Sequence, residues 1–169
     1  MPSEKKPHEL IRDLVAERAS WSDADVIAEI EQLPPLADEG DQVWSDQGYW
    51  RDFAYRYVAL SDVAAERQLR PAVRLLLERA SNGDPGEMMR GLRHASEHIF
   101  NPDWAALADV CIELSASKRP GTRLWAIDQL MVLDDPRARQ VFDKALHDQV
   151  DEIRQIAASG LQRLDRMSQ

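Results

Sequence analysis

Cysteine is almost missing from this chain. Cys111 is the only one in 169 residues, so no disulfide can close within it, and a lone thiol fits a reducing compartment. Glycine is scarce as well, at seven residues. No glycine-rich run of the kind that cradles a phosphate occurs, and there is neither a Cys-x-x-Cys pair nor a Gly-x-Ser-x-Gly turn. Alternating runs of β-branched residues are absent, which argues against a fold built from strands. No stretch approaches the roughly 18 apolar residues of a membrane span. The opening MPSEKKPHELIRDLV lacks the apolar centre of a signal peptide. The expected setting is cytoplasmic, with no membrane contact. Positive charge is in deficit too: 21 basic side chains face 30 acidic ones, a net charge of −9. A general nucleic-acid binder needs a basic surface to neutralise phosphates, so direct nucleic-acid binding is not expected.

Hydrophobic residues make up 44% of the chain, enough for a core. Their spacing is helical almost throughout, and the expected class is all-α. Helices are expected at about His8–Ala19, Ser22–Leu33, Asp46–Ala65, Arg70–Ala80, Glu87–Ile99, Pro102–Ser115, Thr122–Leu133, Pro136–His147 and Asp151–Arg166. Leu10, Leu14 and Val15 share one face of the first, and Val26, Ile27 and Ile30 one face of the second. Ser22 with Asp25 has the spacing of a capping box. Asn101-Pro102 and Asp135-Pro136 read as matching helix starts, a capping side chain followed by proline at the first helical position. Short loops predict antiparallel packing of successive helices. Residues 34–43, PPLADEGDQV, read as a linker, and SNGDPG at 81–86 as a turn.

The stretch YWRDFAYRY, residues 49–57, holds all three tyrosines. On a helix Tyr49, Phe53 and Tyr57 stack at intervals of four, with Trp50, Ala54 and Leu60 extending the face, as a core stripe would. Asp52 and Arg56 are spaced as an exposed pair. Tyr55 falls on roughly the opposite side near Arg51, a pairing enriched at interfaces, although a lone surface tyrosine is the plain alternative.

The C-terminal third repeats. Arg123, Ala126, Leu130 and Leu133 are echoed by Arg154, Ala157, Leu161 and Leu164, 31 residues on, and Pro102 and Pro136 lie 34 apart. The run from Asp151 through Ile153, Arg154 and Ala157 to Leu161 resembles the HEAT-repeat pattern Asp-x-x-[Val/Ile]-Arg-x-x-Ala-x-x-x-Leu, with the first spacing shortened. The likeness to HEAT and armadillo-type repeats is good over 120–166, fair over 84–117, weak over 44–82 and absent before that. It implies a short right-handed α-solenoid of antiparallel helical hairpins, about eight or nine helices. Residues 1–43 would be an N-terminal helical pair and linker able to cap the HEAT-like repeats of 44–169, all within one compact domain. Small residues such as the alanines and Gly160 would let paired helices approach closely.

In such a solenoid the second helix of each hairpin usually lines the concave, working side. Taking those helices to begin at Pro102 and Pro136 puts Asp103, Asp109 and Glu113 on one, and Arg137, Gln140, Asp143 and Lys144 on the other. They make an acidic-to-mixed strip suited to a basic protein partner, or a solvated helix face and nothing more. Arg51, Tyr55 and Trp44, the tryptophan nearest a loop, complete the candidate contact residues. Cys111 falls on an apolar face and reads as an inert buried thiol. His94-Ala-Ser-Glu97-His98 has the H-x-x-E-H spacing of one metallopeptidase group, and its two histidines share a helix face. Leu92, Ala95 and Ile99 around it look like core, so a chance match is the preferred reading. No cofactor is expected. The resemblance implies a non-catalytic binding module, an adaptor or an immunity-type inhibitor of a basic toxin. The alternatives are an enzyme on a HEAT-like scaffold (chromophore-lyase-like, or a metal-dependent hydrolase through His94, Glu97 and His98) and a subunit of a larger assembly.

Overall fold

A computed structural model describes residues 5–33, 55–79 and 95–169, the side chains of 77 and 79 excepted. The described residues are all-α and include no strand. Their contacts fall into two compact units, residues 1–99 and 100–169. The boundary expected near residue 43 lies outside the described residues, as do Tyr49, Trp50, Phe53 and the turn at 81–86.

The first unit holds α1 (Pro7–Arg18), α2 (Asp23–Gln32), α3 (Tyr55–Glu66) and α4 (Arg70–Arg79). Pro7 opens α1, where its missing N–H costs nothing, and Glu9 reaches back to accept the Lys6 N–H at 2.8 Å. The capping box at α2 forms: Ser22 Oγ accepts the Asp25 N–H at 3.2 Å, and the Asp25 carboxylate accepts the Ser22 N–H at 3.1 Å. α3 is the hub, packed against α1, α2 and α4. Tyr57 and Leu60 are buried in it, as the stripe predicts, beside Ala59, Val63 and Ala64.

In this unit α1 and α2 both lie chiefly on neighbours from α3 and α4. In α1 the most buried side chain is Arg18, whereas Leu10, Leu14 and Val15 are half-buried. The reason is polar. Arg18 donates to Leu14 O at 2.9 Å and to Glu29 at 3.1 Å, and its guanidinium sits 4.9 Å from the Trp21 ring centroid. Arg56 donates to the same Glu29 oxygen. Burial pushes the Glu29 carboxyl up, and the hydrogen bonds from Arg56 and Arg18 outweigh it, so it stays below its usual range. Arg67 closes the corner by donating to Arg18 O at 2.8 Å and Trp21 O at 2.7 Å, which caps the end of α1.

Residues 95–100 are helical, and the second unit, which begins at residue 100, holds α5 (Trp104–Leu114), α6 (Pro120–Leu133), α7 (Ala138–Ala145) and α8 (Asp151–Met167). Neither expected start at Asn-Pro or Asp-Pro holds. Asp103 caps α5 by accepting the Ala106 N–H, and Pro102 stands before the helix in a cis peptide. Asp135 instead accepts the Arg137 N–H at 2.9 Å, a turn that delays α7 to Ala138. Proline does open α6, at Pro120.

α6 lies between α5 and α8, and α7 packs on α8. α6 is buried on nearly every side, through Thr122, Trp125, Ala126, Ile127, Gln129 and Leu130. Contacts of α7 with α5 and α6 are slight. Among the described residues α5 thus pairs with α6 and α7 with α8. Gly160 of α8 faces Phe142 of α7 so closely that an added Cβ would stand 2.7 Å from the ring.

The echoed arginines do the same work. Arg123 donates to Ser117 O at 3.0 Å and Arg154 to Asp148 O at 2.6 Å, each six residues back along the chain. Ser117 Oγ accepts the Arg119 N–H at 3.2 Å and Asp148 Oδ1 the Val150 N–H at 3.0 Å, so the same turn precedes α6 and α8.

Two outcomes are expected. Glu29→Gln should cost about 3 kcal/mol in urea denaturation, because it strands the buried Arg18, and adding Arg18→Met should recover part of the loss. Gly160→Ala should lower stability by about 1 kcal/mol in thermal melts, since overpacking against Phe142 (about 1–3 kcal/mol) exceeds the helix gain. Phe142→Leu in that background should restore the melting point relative to Gly160→Ala alone.

Candidate functional site

The slight contact between α5 and α7 leaves a groove of about 360 Å³ in the second unit. Ile127 of α6 is part of its lining, with Ile112, Ser115 and Ala116 from the end of α5. Arg137, Gln140, Val141 and Lys144 line it from α7, with Ala145 behind them and Asp148 from the turn after α7. The spacing explains this edge. Positions 137, 140, 141 and 144 fall on one side of a helix, while Ala138, Phe142 and Ala145 are turned into the core. Val141 is half-buried and faces the groove.

Most charge here is already spent. Arg137 donates to Asp109 at 2.6 Å, to Asp135 at 2.7 Å and to Ala105 O at 3.2 Å. The Arg137 hydrogen bond holds the Asp135 carboxyl below its usual range. Arg123 grips Asp148 at both oxygens, 2.8 and 3.0 Å, and both side chains are largely buried. That grip, aided by the Val150 N–H, depresses the Asp148 carboxyl. The side chains of Gln140 and Lys144 make no hydrogen bond or ion pair among the described residues.

Of the residues singled out in the sequence, Arg137, Gln140 and Lys144 come together on this groove, and Asp109 joins them through Arg137. Asp109 is therefore not a bare acid awaiting a partner. Asp103 is a helix cap, and Glu113 and Asp143 are exposed on α5 and α7 away from the lining. Tyr55 belongs to the other unit and is half-buried, not exposed as its helix position suggests, and Arg56 beside it is drawn to Glu29. Trp44, Arg51 and His94 lie outside the described residues. His98 is exposed and Glu97 half-buried. Among the described residues no group of three or more His, Cys, Asp or Glu is placed to hold a metal. Cys111 is fully buried, and burial pushes its thiol far above the ordinary range, which leaves it no thiolate to attack with.

Sequence reasoning missed Ile112, Ala116, Ile127 and Asp148. The first three look like core residues of their own helices, and only the departure of α7 from α5 opens them to a groove. Asp148 had a signal in the 31-residue register, which sets it opposite Ser117 at the turn before a repeated arginine.

Compared with family models, with curated proteins and with solved structures, the chain matches none. No described helix is long and apolar enough to cross a membrane.

Acid should loosen this site. Asp148 titrates lower folded than unfolded, so its contribution is whole above the unfolded value and is lost as pH falls through the folded one. Stability of the wild type should therefore fall below about pH 4. Asp148→Asn should be less stable at neutral pH and show a shallower decline in melts between about pH 6 and pH 2.

Proposed function

We propose that this chain is a non-catalytic protein-binding module, an adaptor or an immunity-type inhibitor, that recognises a basic partner protein. The observation that carries the binding reading is the groove between α5 and α7. It has apolar walls, its Arg137 and Asp148 are locked in ion pairs, and among the described residues none of its groups is poised for acid–base or nucleophilic chemistry. A HEAT-like solenoid is the architecture we propose for the helical repeats. The paired hairpins α5–α6 and α7–α8, the contact of α6 with α8, and the identical turn-holding roles of Arg123 and Arg154 support it.

Charge supports a basic partner. Residues 1–99 carry 19 acidic against 12 basic side chains, and residues 100–169 carry 11 against 9. The long-range pull on a basic protein thus comes mainly from the first unit, and in the second it falls to exposed acids such as Glu113 and Asp143. A toxin that cuts nucleic acid carries a basic active site and is one such partner.

Affinity capture from the native cell lysate tests this. A single stoichiometric basic protein should be retained at low salt and released at high salt. Glu113→Lys with Asp143→Lys should slow its association and weaken binding about tenfold. Unchanged affinity in that double variant rejects the face chosen here. No retained protein at either salt rejects the module.

A further inference from the structure

The charges around the groove are arranged along its length. At one end Arg137 is held by two carboxylates, Asp109 and Asp135, so this end carries an excess negative charge. In the turn beyond α7, Asp148 is neutralised by Arg123. Between them Lys144 is an exposed cation with no ion pair among the described residues. The contrast with its neighbours is instructive. Arg123, Arg137, Arg139 and Arg163 each hold an aspartate on another helix or turn. Lys144 holds none among the described residues. Arg137 and Lys144 are seven residues apart on one edge of α7, about 10 Å. The apolar walls of Ile112, Ala116, Val141 and Ala145 lie along the same groove.

We propose that this groove is an anchor for a segment of the partner that presents a basic group to the Asp109–Asp135 end, apolar side chains to the middle and a carboxylate to Lys144. The proposal rests on the protein-binding reading and names the segment it requires. Charge complementarity sets both the chemistry and the direction. A segment lying the other way puts its cation on Lys144 and its carboxylate beside two aspartates, which is repulsive at both ends. The volume admits one or two side chains rather than a whole helix, so the segment inserts its apolar residues and lays its charges on the rim. A lysine suits the open position because its flexible stem and compact charge reach a carboxylate without the fixed geometry of a guanidinium.

The probe is a random linear peptide library displayed on phage and panned on the full chain. Two variants serve as controls. Lys144→Glu alters a side chain that holds nothing in the fold, and Ala116→Trp fills the groove from an exposed position. The wild type should enrich peptides with a basic residue, then apolar residues, then Asp or Glu. Lys144→Glu should lose the acidic preference and bind the selected peptide about tenfold more weakly. Ala116→Trp should bind it more weakly still. An identical consensus from wild type and Lys144→Glu, or full binding by Ala116→Trp, overturns the inference. The two readings separate in capture from lysate. A partner retained equally by wild type, Lys144→Glu and Ala116→Trp removes the groove and leaves the module, whereas no partner for any of the three removes the module itself.

Discussion

Arg123 holds two turns at once. Its guanidinium takes the carbonyls of Ser117 and Lys118 before α6, and both carboxylate oxygens of Asp148 before α8. Asp148 in turn accepts the Val150 N–H at the start of α8, and its carbonyl accepts Arg154. A planar fork bound at two points fixes direction as well as distance. The turn at 146–150 is therefore set relative to α6, and α7, which ends in that turn, is set with it. With α7 pinned there at one end, and at the other by Arg137 on Asp109 and Asp135, the gap beside α5 is held open at a defined width. These clamps act beside the apolar seat of α7 on α8, where Phe142 meets Gly160, and the gap remains because α7 is short and touches α5 only lightly.

The same clamps decide what the surface has left to offer. In the second unit, arginine and aspartate are consumed in pairs between helices, Arg139 with Asp165 and Arg163 with Asp134 among them. Exposed pairs of this kind contribute little stability each. They do cancel charge where it would otherwise act on a partner. The acidic strip drawn along α5 and α7 is for this reason less acidic than its composition, and its asymmetry matters more than its total. One end is left negative and Lys144 is left positive, with apolar walls between. The proposed binding of a basic protein and the proposed insertion of a carboxylate are compatible on that pattern, since the first would draw on the charge of the whole chain and the second on one local cation.

The first unit solves a different problem. Its hub helix α3 is served by apolar neighbours, yet the junction of α1 and α2 is built on Arg18, Glu29, Arg56 and Arg67. A buried arginine is costly unless its charge is answered, and here a carbonyl, a carboxylate and an indole face meet it, although its Nε is buried without a hydrogen-bond partner. Such a junction tolerates little change in its partners, although the helices on either side could accept many apolar substitutions.

Much of the fold was legible from residue order alone. Period, proline placement and capping chemistry are local properties, and they located α2 with its Ser22–Asp25 box, placed Tyr57 and Leu60 in the core, and marked Arg123 and Arg154 as equivalent. Local chemistry also misled where two readings compete: Asp135 prefers to close a turn on Arg137 rather than cap a helix at Pro136. What no local rule contains is which helix lies beside which. That α6 sits between α5 and α8, that α7 stands off α5, that Asp109 is claimed by Arg137 and that Lys144 is claimed by none of its neighbours are outcomes of packing. They depend on distances between residues far apart in the chain, and burial and ion pairing have no counterpart in spacing along it. The helices and their polar edges were thus determined by the sequence itself, whereas the groove and the charge that no described neighbour pairs were decided only when those helices met.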